Sequence, residues 1–592
     1  MSDPTSDGQG PGKRLQEDVS VAASKRTSLA QQNEEPGVPD AAPGPASKPA
    51  QLESNMVEQA HSPKASPADD PAAANYNPRS INFWLLMLSN FVAIFLVALD
   101  RTILATAIPR ITDDFKSLGD IGWYGSAYML TTAASQLLFG RIYKFYNLRI
   151  IYFGSIVVFE IGSLICGAAA DSPTFIAGRA IAGFGSAGIF AGAMMVMVSM
   201  VPVHKRPMFQ GVFGMIFGVA SVVGPLLGGV LAGKATWRWC FYMNLPIGGV
   251  ALVLLFFLLK LPEKPSPPAP WVEHVTRLDP LGTFFFVPSV VSLLLALQWG
   301  GAKFSWSDGR IIALFVVSGV TFAAFAAVQV LMPRTAQVPV RIISQRSMLA
   351  GFLFMFFLAA SMMLALFYVP LWFQTVKNFD PVQSGIYTLP LVLSIVASSV
   401  ISGFATQKLG YYVPSMIVCP SLMAVGQGLM STFNPGSGTG EWVGFQFITG
   451  FGLGFGMQTV NLAVQTILPR EDVSTGMAIS FFGQQLGGAI FLCVGQALFN
   501  NIMGSKLSGI PGIDAANIVD SGATDLRSLV PEDAVAAVVD AYNTACTRIF
   551  MTGMALSLAT LLSALCMQWR NIKQVQQSSP QADAVREEKS SA

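Results

Sequence analysis

The sequence predicts an all-α protein that crosses the membrane many times. Apolar residues make up 52% of its 592 residues, and only 12% are charged. The mean hydropathy is +0.52. A soluble domain carries about a quarter of its residues as charged side chains. The composition therefore argues against a soluble enzyme and favours a polytopic membrane protein.

Long apolar runs predict the membrane-spanning elements. Lipid offers no partner for unpaired backbone groups, so each run should be a helix of about 20 residues. We count fourteen runs, at 81–108, 123–143, 149–170, 174–199, 209–232, 239–260, 281–298, 310–331, 347–370, 384–406, 412–432, 441–468, 475–499 and 547–568.

Composition shifts divide the chain into segments. Residues 1–79 are rich in Pro, Ala and Ser and have hardly any aromatic residues, so we expect them to be a disordered cytoplasmic tail. The other expected segments are an N-terminal six-helix bundle at 80–260, a linker with two inserted helices at 261–346, a C-terminal six-helix bundle at 347–570 with a polar extracytoplasmic loop at 500–546, and a cytoplasmic tail at 571–592.

The distribution of Lys and Arg predicts the orientation, because cytoplasmic loops carry an excess of both. With a cytoplasmic amino terminus, the inner loops hold Arg141, Lys144, Lys205 and Lys408, whereas the outer loops hold fewer, such as Lys234. Both termini should therefore lie in the cytoplasm. We expect the plasma membrane, with the vacuolar membrane as the second choice.

A repeated glycine pattern relates the two halves. Gly183 precedes Pro202 by nineteen residues, and Gly450 precedes Pro469 by the same interval. Each glycine begins a Gly-Phe-Gly segment. The fourth and fifth predicted helices thus resemble the twelfth and thirteenth, which favours two parallel six-helix halves with two helices inserted between them. Such repeats, with the binding site at their interface, are typical of transporters.

Ionisable residues inside apolar runs are candidate functional groups, because a charge in the bilayer costs about 2.5–3.5 kcal/mol on insertion scales. Asp100 lies about 12 Å and Arg179 about 9 Å from the predicted outer face, so the two can meet. Glu160 lies near the middle of the third predicted helix. One interpretation is a static buried pair, and the other is a proton-coupling site that takes up and releases protons.

Amide side chains inside the predicted helices indicate a wet cavity. Those that we assign to the substrate cavity are Gln136, Gln458, Asn461, Gln465 and Gln484. Gln458, Asn461 and Gln465 are three and four residues apart, so they should share one helix face. Hydrogen bonding between helices is the alternative interpretation.

The fifth predicted helix contains Gly218, Gly224, Pro225, Gly228 and Gly229. Small residues at intervals of three or four let helices approach closely. The functional interpretation adds that Pro225 frees a backbone carbonyl and bends the helix at an interface that must rock. Close packing alone is the other interpretation.

Several classes of partner are not expected. The net charge of +2 gives no preference for nucleic acid. The six cysteines lack metal-ligand spacing and the three histidines lie in connecting segments or the tail, so no metal site is expected. Gly183 to Gly188 match a dinucleotide fingerprint but lie in an apolar helix, so no cofactor is expected. We expect a monomer whose partners are a small-molecule substrate, protons and membrane lipid.

Four motifs resemble those of the major facilitator superfamily, in its fourteen-helix drug:proton antiporter branch and the fungal toxin-efflux group within it. The residues are Leu99-Asp100-Arg-Thr102-Ile103 through Pro109, Gly178-Arg179 through Gly185, Gly218 through Gly229, and Trp237-Arg238-Trp239 through Gly248. The resemblance implies the major facilitator fold, alternating access and a role for Arg179 in proton coupling. It also implies that the stretch from Gly218 to Gly229 is the antiporter motif.

One position departs from the family pattern. Lys144 stands where the superfamily's loop between helices 2 and 3 usually carries Asp, so the charge latch attributed to that Asp does not carry over. We expect proton-coupled efflux of a lipophilic toxin, secondary metabolite or drug. Uptake or vacuolar transport of a siderophore, basic amino acid or other nutrient is the alternative, as is a non-transporting receptor on a transporter fold.

Overall fold

The computed structural model describes residue 72 and residues 75–117, 120–259, 270–301, 303–507 and 534–573. Most of the two predicted tails and the stretch 260–269 lie outside the described residues. Within these ranges there are fourteen long helices, α1 to α14 in chain order: Ile81–Phe115, Ile121–Phe145, Leu148–Ala168, Ser172–Met200, Arg206–Lys234, Asn244–Leu258, Pro280–Trp299, Gly309–Leu331, Arg346–Thr375, Pro381–Leu409, Val413–Met430, Thr439–Gly456, Val473–Leu507 and Val535–Leu565.

Thirteen of the described helices, some counted with a short neighbouring helix, are long and apolar enough to cross a membrane. The remaining long helix is α2, which carries Thr131, Thr132, Ser135 and Gln136 and ends near Lys144. Its polar residues lower the mean hydropathy, although its 25 residues are sufficient to span the hydrocarbon core. The structure thus confirms the predicted all-α membrane fold.

Helix packing repeats with an offset of eight helices. In the first bundle α1 packs on α5 and α6, and α4 packs on α2 and α3. In the second bundle α9 packs on α13 and α14, and α12 packs on α10 and α11. The two bundles meet through α5 with α10 and through α2 with α13. The glycine repeat therefore predicted the internal symmetry correctly.

The inserted helices α7 and α8 form a pair beside the bundles. They pack on each other, and α7 also contacts both α2 and α13. Asp279 begins α7 in a left-handed backbone conformation and accepts a hydrogen bond from the Gly282 amide at 2.9 Å. Its carboxylate also accepts one from the Gln329 amide of α8 at 2.7 Å, which ties the two inserted helices together.

Two segments differ from the sequence prediction. Within the loop predicted at 500–546, α13 continues to Leu507 and α14 begins at Val535, and residues 508–533 between them lie outside the described part of the chain. Apolar residues such as Met503 and Val538 are buried and extend both helices beyond the membrane-type runs. The predicted twelfth helix is interrupted: α12 ends at Gly456, and a separate helix, Thr459–Ile467, follows.

Candidate functional site

A cavity of about 350 Å³ lies between the two bundles. Its wall is mostly apolar, and its larger apolar residues include Met129, Met362, Met363, Phe190, Phe217 and Phe481. The rings of Phe190 on α4 and Phe481 on α13 meet edge to face, with centroids 4.4 Å apart. Both bundles thus contribute to the apolar part of the lining.

The predicted cavity amides separate into two groups. Gln136, Gln458 and Gln484 line the cavity. Asn461 and Gln465 are buried but are not among its lining residues. Because the helix is interrupted after Gly456, residues 458, 461 and 465 do not share one uninterrupted helix face. The structure therefore does not bring all five amides together.

The two displaced amides have protein partners. The Asn461 side chain donates a hydrogen bond to Gln458 Oε1 at 3.0 Å. Gln465 Oε1 accepts one from Arg206, at the start of α5, at 3.5 Å. These contacts match the alternative interpretation, in which amides hydrogen-bond between and within helices instead of facing water.

Asp100 and Arg179 form a buried ion pair. The Arg179 Nη1 atom donates to Asp100 Oδ2 at 2.6 Å, and both side chains are almost completely buried. Arg179 also donates from Nε to the Tyr124 carbonyl at 2.9 Å, and its guanidinium lies 4.5 Å from the centre of the Tyr128 ring. The contact between α1 and α4 that the depth estimate allowed is present.

Glu160 is placed near this pair but without a hydrogen-bond partner in the described structure. Both carboxylate oxygens are buried and make no hydrogen bond. The carboxylate packs against Gly248 of α6, where a β-carbon would collide with it. Asn244, one turn before Gly248, donates to Ser163 Oγ at 3.2 Å and reaches Asp100 Oδ1 at 3.4 Å. α6 therefore links the surroundings of the two acidic residues.

The glycines of α5 face two different helices. A β-carbon at Gly218 would collide with Val396 of α10, in the other bundle. β-Carbons at Gly224 and Gly228 would collide with Thr102 and Thr106 of α1, in the same bundle.

The two remaining members of the antiporter motif are less enclosed. A β-carbon at Gly229 would meet no atom within 4 Å, and Pro225 is half-buried. The small residues of the motif therefore do not form one packing surface, because one part lies against the opposite bundle and one part against α1. Thr102 also donates to the Ala220 carbonyl at 3.0 Å, which joins α1 to α5 before the proline.

The bundles touch closely at the end that carries the basic loops. Lys144 Nζ lies 2.7 Å from Asp472 Oδ1, and Asp472 is fully buried. Arg341 binds the same carboxylate through both of its terminal nitrogens, at 2.7 and 2.9 Å. These hydrogen bonds raise the pKa of the Arg341 guanidinium. Position 144, where the resemblance led us to expect Asp, thus carries a cation that pairs with the other bundle.

Another ion pair lies at the carboxyl end of α1. Arg238 donates to Asp114 Oδ2 at 2.8 Å, and the Trp237 indole donates to the same oxygen at 3.1 Å. Both hydrogen bonds, with that of Arg238 the stronger influence, lower the pKa of Asp114. Both charged side chains are partly exposed, so this pair differs from the buried pair of Asp100.

Sequence reasoning missed Arg101, which also lies inside the first apolar run. Arg101 lines the cavity directly beside the buried Asp100. Arg101 directly follows Asp100 in the sequence, and consecutive residues of a helix point in different directions. The sequence therefore could have indicated a separate role for Arg101.

Two helical bundles around a central cavity, with buried charges beside it, define a membrane transporter. The sequence model of the Major Facilitator Superfamily matches residues 91–492. The chain belongs to this superfamily and, within it, to the fungal toxin-efflux group.

Several curated relatives are similar over most of their length. The efflux pump aflT of Aspergillus parasiticus is 45% identical, over 86% of this chain and 99% of that protein. The rubrofusarin-specific efflux pump aurT of Gibberella zeae is 45% identical, over 84% and 91%. The efflux pump roqT of Penicillium rubens is 41% identical, over 88% and 97%.

A solved structure has the same fold. The human organic anion transporter MFSD10 (TETRAN) aligns with a TM-score of 0.52 at 14% identity, over 80% of this chain and 99% of that one. The superfamily match and the curated relatives make the chain a transporter of small molecules and not an enzyme.

Proposed function

We propose that the protein is a proton-coupled efflux transporter that exports a lipophilic small molecule by alternating access. The observation that carries the proposal is the buried Asp100–Arg179 pair, which lies directly beside two cavity-lining residues, Arg101 and Thr102. A proton that binds Asp100 would therefore alter the helix that forms part of the cavity wall. The names of the relatives support export as the direction.

The coupling step follows from the contacts of the pair. Protonation of Asp100 at Oδ2 removes the negative charge that holds Arg179, which keeps its hydrogen bond to the Tyr124 carbonyl. α1 is then free to shift relative to α4. Because Thr102 joins α1 to the Ala220 carbonyl of α5, the shift reaches the helix that contacts the opposite bundle. Glu160 is a second, weaker candidate for carrying the proton.

We also propose an orientation of the protein in the membrane. With both termini in the cytoplasm, the contacts around Lys144 and Asp472 close the cytoplasmic end of the cavity. The conformation then corresponds to a state after substrate has left the inner side. The plasma membrane is the expected location, since export from the cell requires it.

The test is transport in vesicles that contain the purified protein. A pH gradient, acidic inside, should drive uptake of the fluorescent lipophilic compound 9-anthracenecarboxylate into these vesicles by the wild type, and Asp100→Asn should abolish this uptake. Arg548→Met is the matched control, because Arg548 lies exposed on α14 away from the cavity. Undiminished pH-driven transport by a folded Asp100→Asn variant would contradict the proposed coupling.

The same vesicles distinguish the other functions. Movement of substrate in the opposite direction would indicate an uptake transporter. The absence of any substrate-dependent proton flux, with the protein folded, would indicate a receptor instead.

A further inference from the structure

One charged residue faces the cavity. Among the described residues that line it, Arg101 is the only one with an ionisable side chain of the Lys, Arg, Asp or Glu type. Its Nε atom is buried and makes no hydrogen bond with the described residues. The guanidinium carbon lies 5.4 Å from the centre of the Tyr128 ring, which is its one described contact with an electron-rich group.

The neighbouring carboxylates do not neutralise Arg101. Asp100 Oδ2 is bound by Arg179, and Asp100 Oδ1 faces Asn244. Glu160 packs against Gly248 on α6 and is not among the cavity-lining residues. The Asp100–Arg179 pair is already neutral as a unit, so Arg101 leaves one positive charge on the cavity wall.

The other polar groups at the cavity include further hydrogen-bond donors. The Gln136 Nε2 amide is buried and has no partner within the described structure. Gln484 and Gln485 add amides on α13. A guanidinium forms its strongest contacts with a carboxylate or a similar planar oxyanion, through two parallel hydrogen bonds. The rest of the wall is mostly apolar and includes four methionines and three phenylalanines, which suits a flat apolar body.

We infer that the cavity recognises an organic anion, a lipophilic molecule with one ionised acidic group that pairs with Arg101. This inference rests on the proposed function and narrows its substrate class from lipophilic compounds in general to lipophilic acids. The apolar body occupies the Met and Phe surface, and the acidic group reaches the guanidinium. Arg101 is then a specificity-determining residue, distinct from the coupling pair beside it.

The test compares three probes with one ring system: 9-anthracenecarboxylate, its neutral carboxamide and the cationic 9-anthracenemethylammonium. Binding to the purified full-length protein is measured by fluorescence titration, with no pH gradient, so the result does not depend on proton coupling. We expect the wild type to bind the carboxylate at least about tenfold more tightly than the carboxamide, which corresponds to one charge-assisted contact. The cation should bind more weakly than either.

Substitutions at position 101 test whether Arg101 causes the preference for the carboxylate. Arg101→Met should remove the preference for the carboxylate and leave binding of the carboxamide within about twofold, because the apolar wall is unchanged. Arg101→Lys should restore part of the preference, since it keeps the charge but not the planar fork. Arg548→Met, which removes a positive charge outside the cavity, should bind all three probes as the wild type does.

The results that would contradict the inference differ from the result that would contradict the proposed function. No saturable binding of the carboxylate, or equal loss of all three probes in Arg101→Met, would overturn the inference. Anionic lipid headgroups carry the same chemistry, so each titration is repeated with phosphatidylglycerol. If that lipid abolishes the arginine-dependent binding, Arg101 serves the lipid and the inference fails. Preserved anion binding without pH-driven transport would contradict the proposed function alone.

Discussion

Lys144 of α2 and Asp472, just before α13, form an ion pair between the two bundles, with Nζ 2.7 Å from Oδ1. Arg341, from the segment that follows the inserted helices, holds the same carboxylate. One buried acidic residue thus joins three parts of the chain. The link breaks and reforms in any cycle that separates the bundles at this end.

Removing Asp472 should cost more stability than removing either cation. Asp472→Asn removes the charge of the buried carboxylate that both cations share, and we expect a loss of about 3 kcal/mol in unfolding free energy. Lys144→Met leaves Arg341 in place and should cost less. Asp114→Asn is the control, because its pair with Arg238 is partly exposed and is worth about 1 kcal/mol or less. Denaturant titration in detergent measures all three, and equal losses for Asp472→Asn and Asp114→Asn would contradict the prediction.

The buried pair of Asp100 and Arg179 should behave non-additively. Either Asp100→Asn or Arg179→Met alone leaves one buried group without its partner, at a cost of about 3–5 kcal/mol. The double variant removes both charges and should be destabilised by clearly less than the sum of the two. The thermal midpoint of the four proteins completes the cycle. Additive losses would show that the two side chains do not depend on each other.

Glycines that look equivalent in the α5 motif should respond differently to alanine. Gly224→Ala and Gly228→Ala should each lose about 1–3 kcal/mol, because the added methyl group meets α1. Gly229→Ala should be nearly neutral or slightly stabilising, since the position is open and alanine favours a helix. Thermal midpoints and transport rates would check this, and a loss at Gly229 equal to that at Gly224 would be inconsistent with the packing described.

Cysteine accessibility should distinguish the two groups of amides. In a background with the six native cysteines replaced by alanine, Gln484→Cys should react with a water-soluble thiol reagent, because residue 484 lines the cavity. Gln465→Cys should be protected, since residue 465 is buried beside Arg206. Saturating substrate should slow labelling at 484. Faster labelling at 465 than at 484 would contradict the assignment of the cavity.

The sequence predicted the helices and their symmetry because apolar length and glycine spacing are local properties. It also predicted the contact of Asp100 with Arg179, since depth along a helix follows from residue number. Asn461 and Gln465 were assigned to the cavity on the assumption of an unbroken helix. The interruption after Gly456 depends on packing against other helices, which one segment's pattern does not contain.

The partner of Lys144 could not be predicted for a related reason. Asp472 is 328 residues away, and only the docking of the two bundles brings it to α2. Arg101 is a different case. It lies inside the first apolar run and could be recognised there, but the functional role in that run was assigned to Asp100 alone. Because consecutive residues lie on different sides of a helix, residue number alone is sufficient to place Arg101 and Asp100 in different surroundings.

The position of α7 makes the transporter unequal on its two flanks. In the part of the chain that the structure describes, α7 contacts both α2 and α13, and its Leu294 reaches the cavity wall. The flank formed by α2 and α13 is therefore covered by protein, whereas that formed by α5 and α10 has no such inserted helix among its main contacts. When the bundles move, α7 must slide along at least one of its two partners. Lipid chains consequently reach the interface between the bundles directly at the flank of α5 and α10, whereas α7 covers that interface at the flank of α2 and α13.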